Sequence, residues 1–291
     1  MSIADDLRMQ LRMGDVTIRL IFINIVLFAI PHIFFGVLHL FRIHIDFMSY
    51  VSLSSDPAQL LWKPWSLISY AFFHAGIMHI LFNMLMLNFA GRIFLTFFTQ
   101  KQLLGLYLAS ALFAGTVFIV CYMVLPMLSK LVVPMVGASG AVMAILFATM
   151  TYSPHMPIRL FLFGTVKLWH IVIVLLLIDL IQLSLENTGG HLAHLGGAFF
   201  GYIFVKQIQN GRDIVTWIAS GLERITGRGK KKPPFSKVHK NYSRKPETSS
   251  KIVTKDKTQQ QVDEILDKIS RSGYDSLSKE EKDFLFRAGK Q

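Results

Sequence analysis

Cysteine is nearly missing from this chain. Cys121 stands alone among 291 residues, inside an apolar run, so no intramolecular disulfide forms and no thiolate cluster can hold a metal. Charge is scarce as well. Only 16% of the side chains are Asp, Glu, Lys or Arg and 52% are apolar, against about 25% and about 45–50% in soluble domains. Mean hydropathy is +0.46, which excludes an ordinary water-soluble protein. The formal charge of +12 is unevenly spread, because residues 206–291 carry 20 basic and 11 acidic side chains. The basic excess belongs mostly to a tail.

A helix that crosses about 30 Å of hydrocarbon needs roughly 20 mostly apolar residues. Six windows answer that description, near 18–40, 77–95, 103–126, 138–153, 168–186 and 191–209. The first is too long, and too rich in Asn24, Pro31 and His32, for a cleaved signal peptide, and no small-residue cleavage site follows it. The expected fold is therefore an all-α membrane protein, a bundle of six transmembrane helices. Basic residues in the short loops place the N-terminus inside: Arg8, Arg12, Arg19, Arg92, Lys101, Arg159, Lys167 and the tail against Arg42, Lys63 and Lys130 outside. Both ends are then cytoplasmic.

Between the first two windows, residues 41–76 mix aromatics with Asp46, Asp56, Pro57 and Pro64, a pattern expected in the outer interface with Trp62 and Trp65 at headgroup level. The fourth window holds 16 residues, which at 1.5 Å rise reach only about 24 Å. Its start should lie below the outer surface, where non-helical backbone around 130–137 is tolerable only beside protein or a water-filled cavity.

The expected boundaries are a cytoplasmic N-terminus at 1–16, a membrane domain at 17–210, a basic disordered linker at 211–258 and a small cytoplasmic helical segment at 259–291. In that last segment Val262, Ile265, Leu266 and Ile269 share a helical face, Gly273 is a stop, and Ser278 with Glu281 forms a capping box. This small helical hairpin shows no chemistry of its own, and its partner is unassigned.

Polar residues inside spans are costly and usually face the bundle interior. His79 and Asn83 are one turn apart on the second span, Ser139 opens the fourth in GASG, and His194 sits near the start of the sixth in AHLGG. With the N-terminus inside, even-numbered spans run from outside to inside, so all four residues share one depth near the outer face. Gly137 and Gly140 flank Ser139, and Gly197 with Gly201 forms a small-xxx-small face below His194 that allows close helix approach. Close approach of the fourth and sixth spans would bring Ser139 and His194 within hydrogen-bond reach, the geometry of an activated nucleophile, and Asn83, His79 and the Ser139 N–H would supply donors for an oxyanion. Taken singly, each feature also reads as ordinary packing or a satisfied polar residue. A transport pathway would use the same buried groups, but no polar residue continues the path inward.

HAGIMHILFN (74–83), GASG (137–140) and AHLGGAFFG (193–201), in this order and with six-span spacing, resemble the rhomboid intramembrane serine proteases over about residues 17–210. The resemblance implies Ser139 as nucleophile, His194 as general base, His79 and Asn83 as oxyanion-hole residues and His74 in a supporting position, with no metal or cofactor and no third triad member. It also implies that a substrate helix enters between the second and fifth spans. Asp179 lies at a depth near His194 and is a candidate orienting carboxylate, although the family works as a dyad; His191 is expected in a loop near the water entrance, and 186–191 as a lid. Two departures from the family stand out: Trp65-Ser66 replaces Trp-Arg, and residues 88–101 contain no acid, with Thr96 near the family's glutamate. The expected partners are transmembrane segments of other proteins and the lipid bilayer, not nucleic acid. Short loops and the basic tail suit a bacterial plasma membrane. The alternative is an inactive rhomboid-like protein that binds transmembrane segments.

Overall fold

The structure is a computed structural model that describes residues 14–160, 164–183, 187–226 and 257–288. The chain forms two compact units, 1–230 and 231–291. Each expected window contains a helix: α1 (Val16–Leu40), α2 (Ile77–Phe94), α3 (Gln100–Val124), α4 (Ser139–Tyr152), α5 (Leu168–Gln182) and α6 (Thr188–Gln209). Three of them, α1 to α3, are long and apolar enough to cross a membrane; α4 and α5 are shorter apolar helices.

The helix α4 is central. From Gly140 to Leu146 every residue is buried, as expected for a helix apolar all round. Its neighbour α6 approaches to backbone contact, because a Cβ on Gly197 would stand 1.9 Å from the Gly140 carbonyl oxygen and one on Gly201 2.2 Å from that of Ala144. On the adjacent face of α6, Gly196 meets Val117 of α3. Peripheral helices bury little: Thr17, Leu20 and Asn24 in α1, and Leu168, Val172 and Asp179 in α5. Their remaining apolar surface suits lipid.

Residues 41–76 are a tied loop that contains two single helical turns, Met48–Val51 and Ser66–Ser69. The Tyr70 hydroxyl donates to Ala111 O at 2.7 Å and that of Tyr107 to Ala71 O at 2.7 Å, so two reciprocal bonds fasten the end of the loop to α3. Trp65 Nε1 donates to Tyr50 O at 2.8 Å, and Ser66 is buried.

Three features depart from the expected architecture. Two antiparallel ladders interrupt an all-helical chain: β1 (Leu53–Ser54) pairs with β2 (Pro134–Met135), and β3 (Pro157–Leu160) with β4 (Gly164–Lys167). The segment expected as linker from 211 begins as a packed helix, α7 (Thr216–Ile225). It is fixed on the start of α3 by burial of Val215 and Ala219, by the approach of Val215 O to Gly105, and by a 2.7 Å ion pair between Lys101 and Glu223. The rest of that linker, 227–256, lies outside the described residues.

The second unit contains α8 (Lys257–Ser272) and α9 (Lys279–Ala288). Gly273 turns the chain with φ +79°, and the Ser278 N–H donates to Glu281 Oε2 at 2.7 Å while the Glu281 N–H donates to Ser278 Oγ at 3.2 Å. This reciprocal capping opens α9. Ile265 and Leu277 are buried in the unit.

Candidate active site

The turn at Gly137 organises the site. Its φ of +130° lies where residues with a side chain are strained, and a Cβ there would stand 2.8 Å from His79 Nε2 and 3.6 Å from Ser139 Oγ. The imidazole of α2 and the hydroxyl that opens α4 thus approach one point. Gly137 N–H donates to Tyr70 O at 2.9 Å, which pins the turn to the segment that joins α1 to α2.

Ser139 is the first residue of α4, so its N–H has no acceptor within the helix and points out of the positive end of the helix dipole. His79 Nδ1 accepts from the Ala75 N–H at 3.3 Å. In a neutral ring this leaves the proton on Nε2, the atom nearest Gly137. Asn83 Nδ2 donates to His79 O at 2.8 Å, which orients the amide one turn below; its second N–H is left for another acceptor.

His74 is completely buried, and its Nε2 accepts from the Ala138 N–H at 3.5 Å. Burial, reinforced by the neighbouring His79, pushes its pKa down to about 3. A neutral ring at pH 7 is what that acceptor role requires. The rings of His74 and His79 meet edge to face with centroids 5.2 Å apart. His74 therefore braces both the residue before Ser139 and the imidazole beside it.

A cavity of about 520 Å³ is lined by His79, Asn83, Gly137, Ser139, Asp179 and His194, among others. All four residues singled out in the sequence face it. Among the described residues no hydrogen bond links Ser139 Oγ directly to His194; catalytic contacts of unliganded sites are often long and tighten only with substrate. Close packing of α4 on α6 around Gly140 and Ala193, where a Gly140 Cβ would lie 3.3 Å from Ala193 O, sets how near the two groups come.

Two residues stand closer to His194 than their sequence positions suggest. Asp179 Oδ1 lies 2.7 Å from Nδ1 of His194 and 2.7 Å from Nδ1 of His191. A carboxylate thus sits on the expected base, although the resemblance implies a dyad. His191 is no loop residue: it is buried inside α6, which begins at Thr188. The lid expected at 186–191 also differs, since 188–191 are helical and Gly189 packs on Phe118, where a Cβ would stand 2.5 Å from the ring. Residues 184–186 lie outside the described residues. The spacing of Asp179 and His191 to His194 in sequence, 15 and 3 residues, carried a signal only for the second pair, one helical turn apart. Ligand atoms of the three lie within 4.8 Å of one another, a spacing a metal could use, but here each Nδ1 is already at hydrogen-bond distance from the carboxylate.

A mostly helical fold with membrane-length helices, organised around a cavity that gathers a few polar side chains, defines a membrane-embedded protein. The Rhomboid domain family matches residues 61–208, and the chain belongs to the rhomboid family. It is similar to "RHOMBOID-like protein 12, mitochondrial" of Arabidopsis thaliana, with 32% identity over 158 residues, 50% of this chain and 47% of that protein. The chain thus spans about half the length of this curated relative. That relative is named mitochondrial, so the bacterial plasma membrane read from the loops gains no support. Residues 253–290 match a family of unknown function, DUF6576.

Proposed function

We propose that the protein is an intramembrane serine endopeptidase that cleaves transmembrane segments of other proteins near the outer face of the bilayer. The observation that carries this reading is the shared cavity. It gathers a hydroxyl, an imidazole and two further donors, contributed by α2, α4 and α6. In this reading α1 to α6 all cross the membrane, with both termini in the cytoplasm.

Ser139 Oγ attacks the scissile carbonyl carbon while His194 Nε2, the ring nitrogen not paired with Asp179, takes its proton. Negative charge on the carbonyl oxygen is met by the Ser139 N–H, His79 Nε2–H and Asn83 Nδ2–H. His194 then protonates the leaving amine, and water hydrolyses the acyl-enzyme with His194 again as base. Phe82 and Met86 from α2 and Leu175 and Ile178 from α5 also line the cavity, which supports substrate entry between those helices. Thin packing of α5 suits such a gate.

Asn83→Ala should lower kcat by about 10²–10³, the usual cost of losing one oxyanion donor while others remain. Turnover of a single-span substrate in detergent measures it; an unchanged kcat removes Asn83 from the oxyanion site. Labelling of the unsubstituted protein by a fluorophosphonate, mapped to Ser139, tests the function itself. A chain that binds transmembrane segments without cleaving them has no need of an activated hydroxyl and stays unlabelled.

A further inference from the structure

From residue 57 to residue 185 the sequence contains one acid, Asp179. It lies in an apolar helix that is otherwise largely turned away from the protein, yet Asp179 itself is only 6% exposed. A lone carboxylate in a membrane helix is costly and calls for a compensating partner. Here there are two, since His191 and His194, one turn apart on α6, both bring Nδ1 to within 2.7 Å of the same oxygen, Oδ1. An ionised carboxylate only accepts hydrogen bonds. Both imidazoles must then carry a proton on Nδ1.

We infer that Asp179 is a positioning residue for the general base, held in place by His191 as a second donor. The inference rests on the endopeptidase reading above. With its proton on Nδ1, neutral His194 presents a bare Nε2 to Ser139. The opposite tautomer would put a proton where the hydroxyl proton must go. When Ser139 attacks, its proton moves to Nε2 and the resulting imidazolium stays paired through Nδ1–H with the carboxylate, which remains ionised. No proton passes to Asp179. His191 shares the helix with His194 and holds Oδ1 as a second donor at 2.7 Å; their rings lie edge to face with centroids 5.7 Å apart. The carboxylate therefore ties α5, the thinly packed helix, to the residue that must not move during catalysis.

The test uses the full chain in detergent, with a fluorophosphonate as probe and a single-span substrate for turnover. Asp179→Asn should slow both labelling and kcat by about 10²–10⁴, by analogy with amide replacement of the orienting carboxylate in serine proteases, and leave KM within about twofold. The prediction of equal KM separates orientation of the base from a general loosening of the site. His191→Phe should give a smaller fall in the same two rates. Labelling of Asp179→Asn at the unsubstituted rate overturns the inference and leaves the protease reading intact. Failure of the unsubstituted chain to label overturns both. Should the variants fail to fold, ¹⁵N spectra of histidine-labelled unsubstituted protein decide: a His194 protonated at Nδ1 and bare at Nε2 supports the assignment, and the reverse tautomer rejects it.

Discussion

Ser139→Ala and His194→Ala should each abolish cleavage of a single-span substrate, and the double variant should be no worse than either. In the proposed mechanism nucleophile and base act as one unit: without the base the hydroxyl is a poor nucleophile, and without the hydroxyl the base has nothing to deprotonate. In serine proteases such single losses cost about 10⁶ in kcat and are grossly non-additive. The two variants should differ in stability, however. Ser139 contributes a single hydroxyl at the edge of a cavity, and its loss should leave the melting temperature almost unchanged. His194 is paired with Asp179 at 2.7 Å, and its loss leaves a buried carboxylate with His191 alone, so a measurable fall in melting temperature is expected. Cleavage assays and thermal unfolding of both variants in one detergent provide the check. Retained cleavage in either variant rejects its residue as part of the catalytic pair.

Helix positions along this chain were legible because hydrophobic length is a strong signal in a membrane protein. The six windows and the six helices differ by only a few residues at each end. The short fourth helix was legible as well, since 14 residues from Ser139 to Tyr152 cannot reach across the hydrocarbon from a start at its surface. That Ser139, His194, His79 and Asn83 line one cavity accords with counting along helices whose alternating direction the loop charges suggest. What length and depth do not encode is rotation. Nothing in the run LWHIVIVLLLIDLIQ says which neighbour Asp179 faces, so its contact with His194 was only one possibility among several. Gly189-Gly190 read as a loop because glycine weakens helices, yet Gly189 is there to admit the ring of Phe118. The helix α7 stands where the change of composition after about residue 210, toward KKKPP and a Lys/Ser/Thr/Pro-rich stretch, points to a linker. Glu223 and Asp213 are in fact engaged by Lys101 and Gln102 of α3, contacts that no local pattern reveals.

Gly197→Ala should impair catalysis without touching a catalytic group. The added methyl would stand 1.9 Å from the carbonyl oxygen of Gly140, and a backbone atom in a packed interior cannot rotate away as a side chain can. The helices α4 and α6 must therefore separate by about 1 Å or more, at a cost typical of overpacking, about 1–3 kcal/mol. Gly140 is the residue next to Ser139, and His194 lies one turn before Gly197 on the other helix. Separation at this contact therefore pulls the Ser139 hydroxyl from the His194 imidazole, and in the proposed mechanism a misplacement of about 1 Å can cost about 10² in rate. Gly201→Ala meets Ala144 O at 2.2 Å and should destabilise the protein comparably. Its effect on kcat should be smaller, because the strained contact lies a further turn away from Ser139. Gly36→Ala is the control: a Cβ there meets nothing within 4 Å, and the change should be neutral or slightly stabilising. Thermal unfolding, kcat and fluorophosphonate labelling of the three variants separate the two effects. If Gly197→Ala lost stability but kept its labelling rate, the close approach of α4 and α6 would serve packing alone, and the distance between hydroxyl and imidazole would have to be set elsewhere.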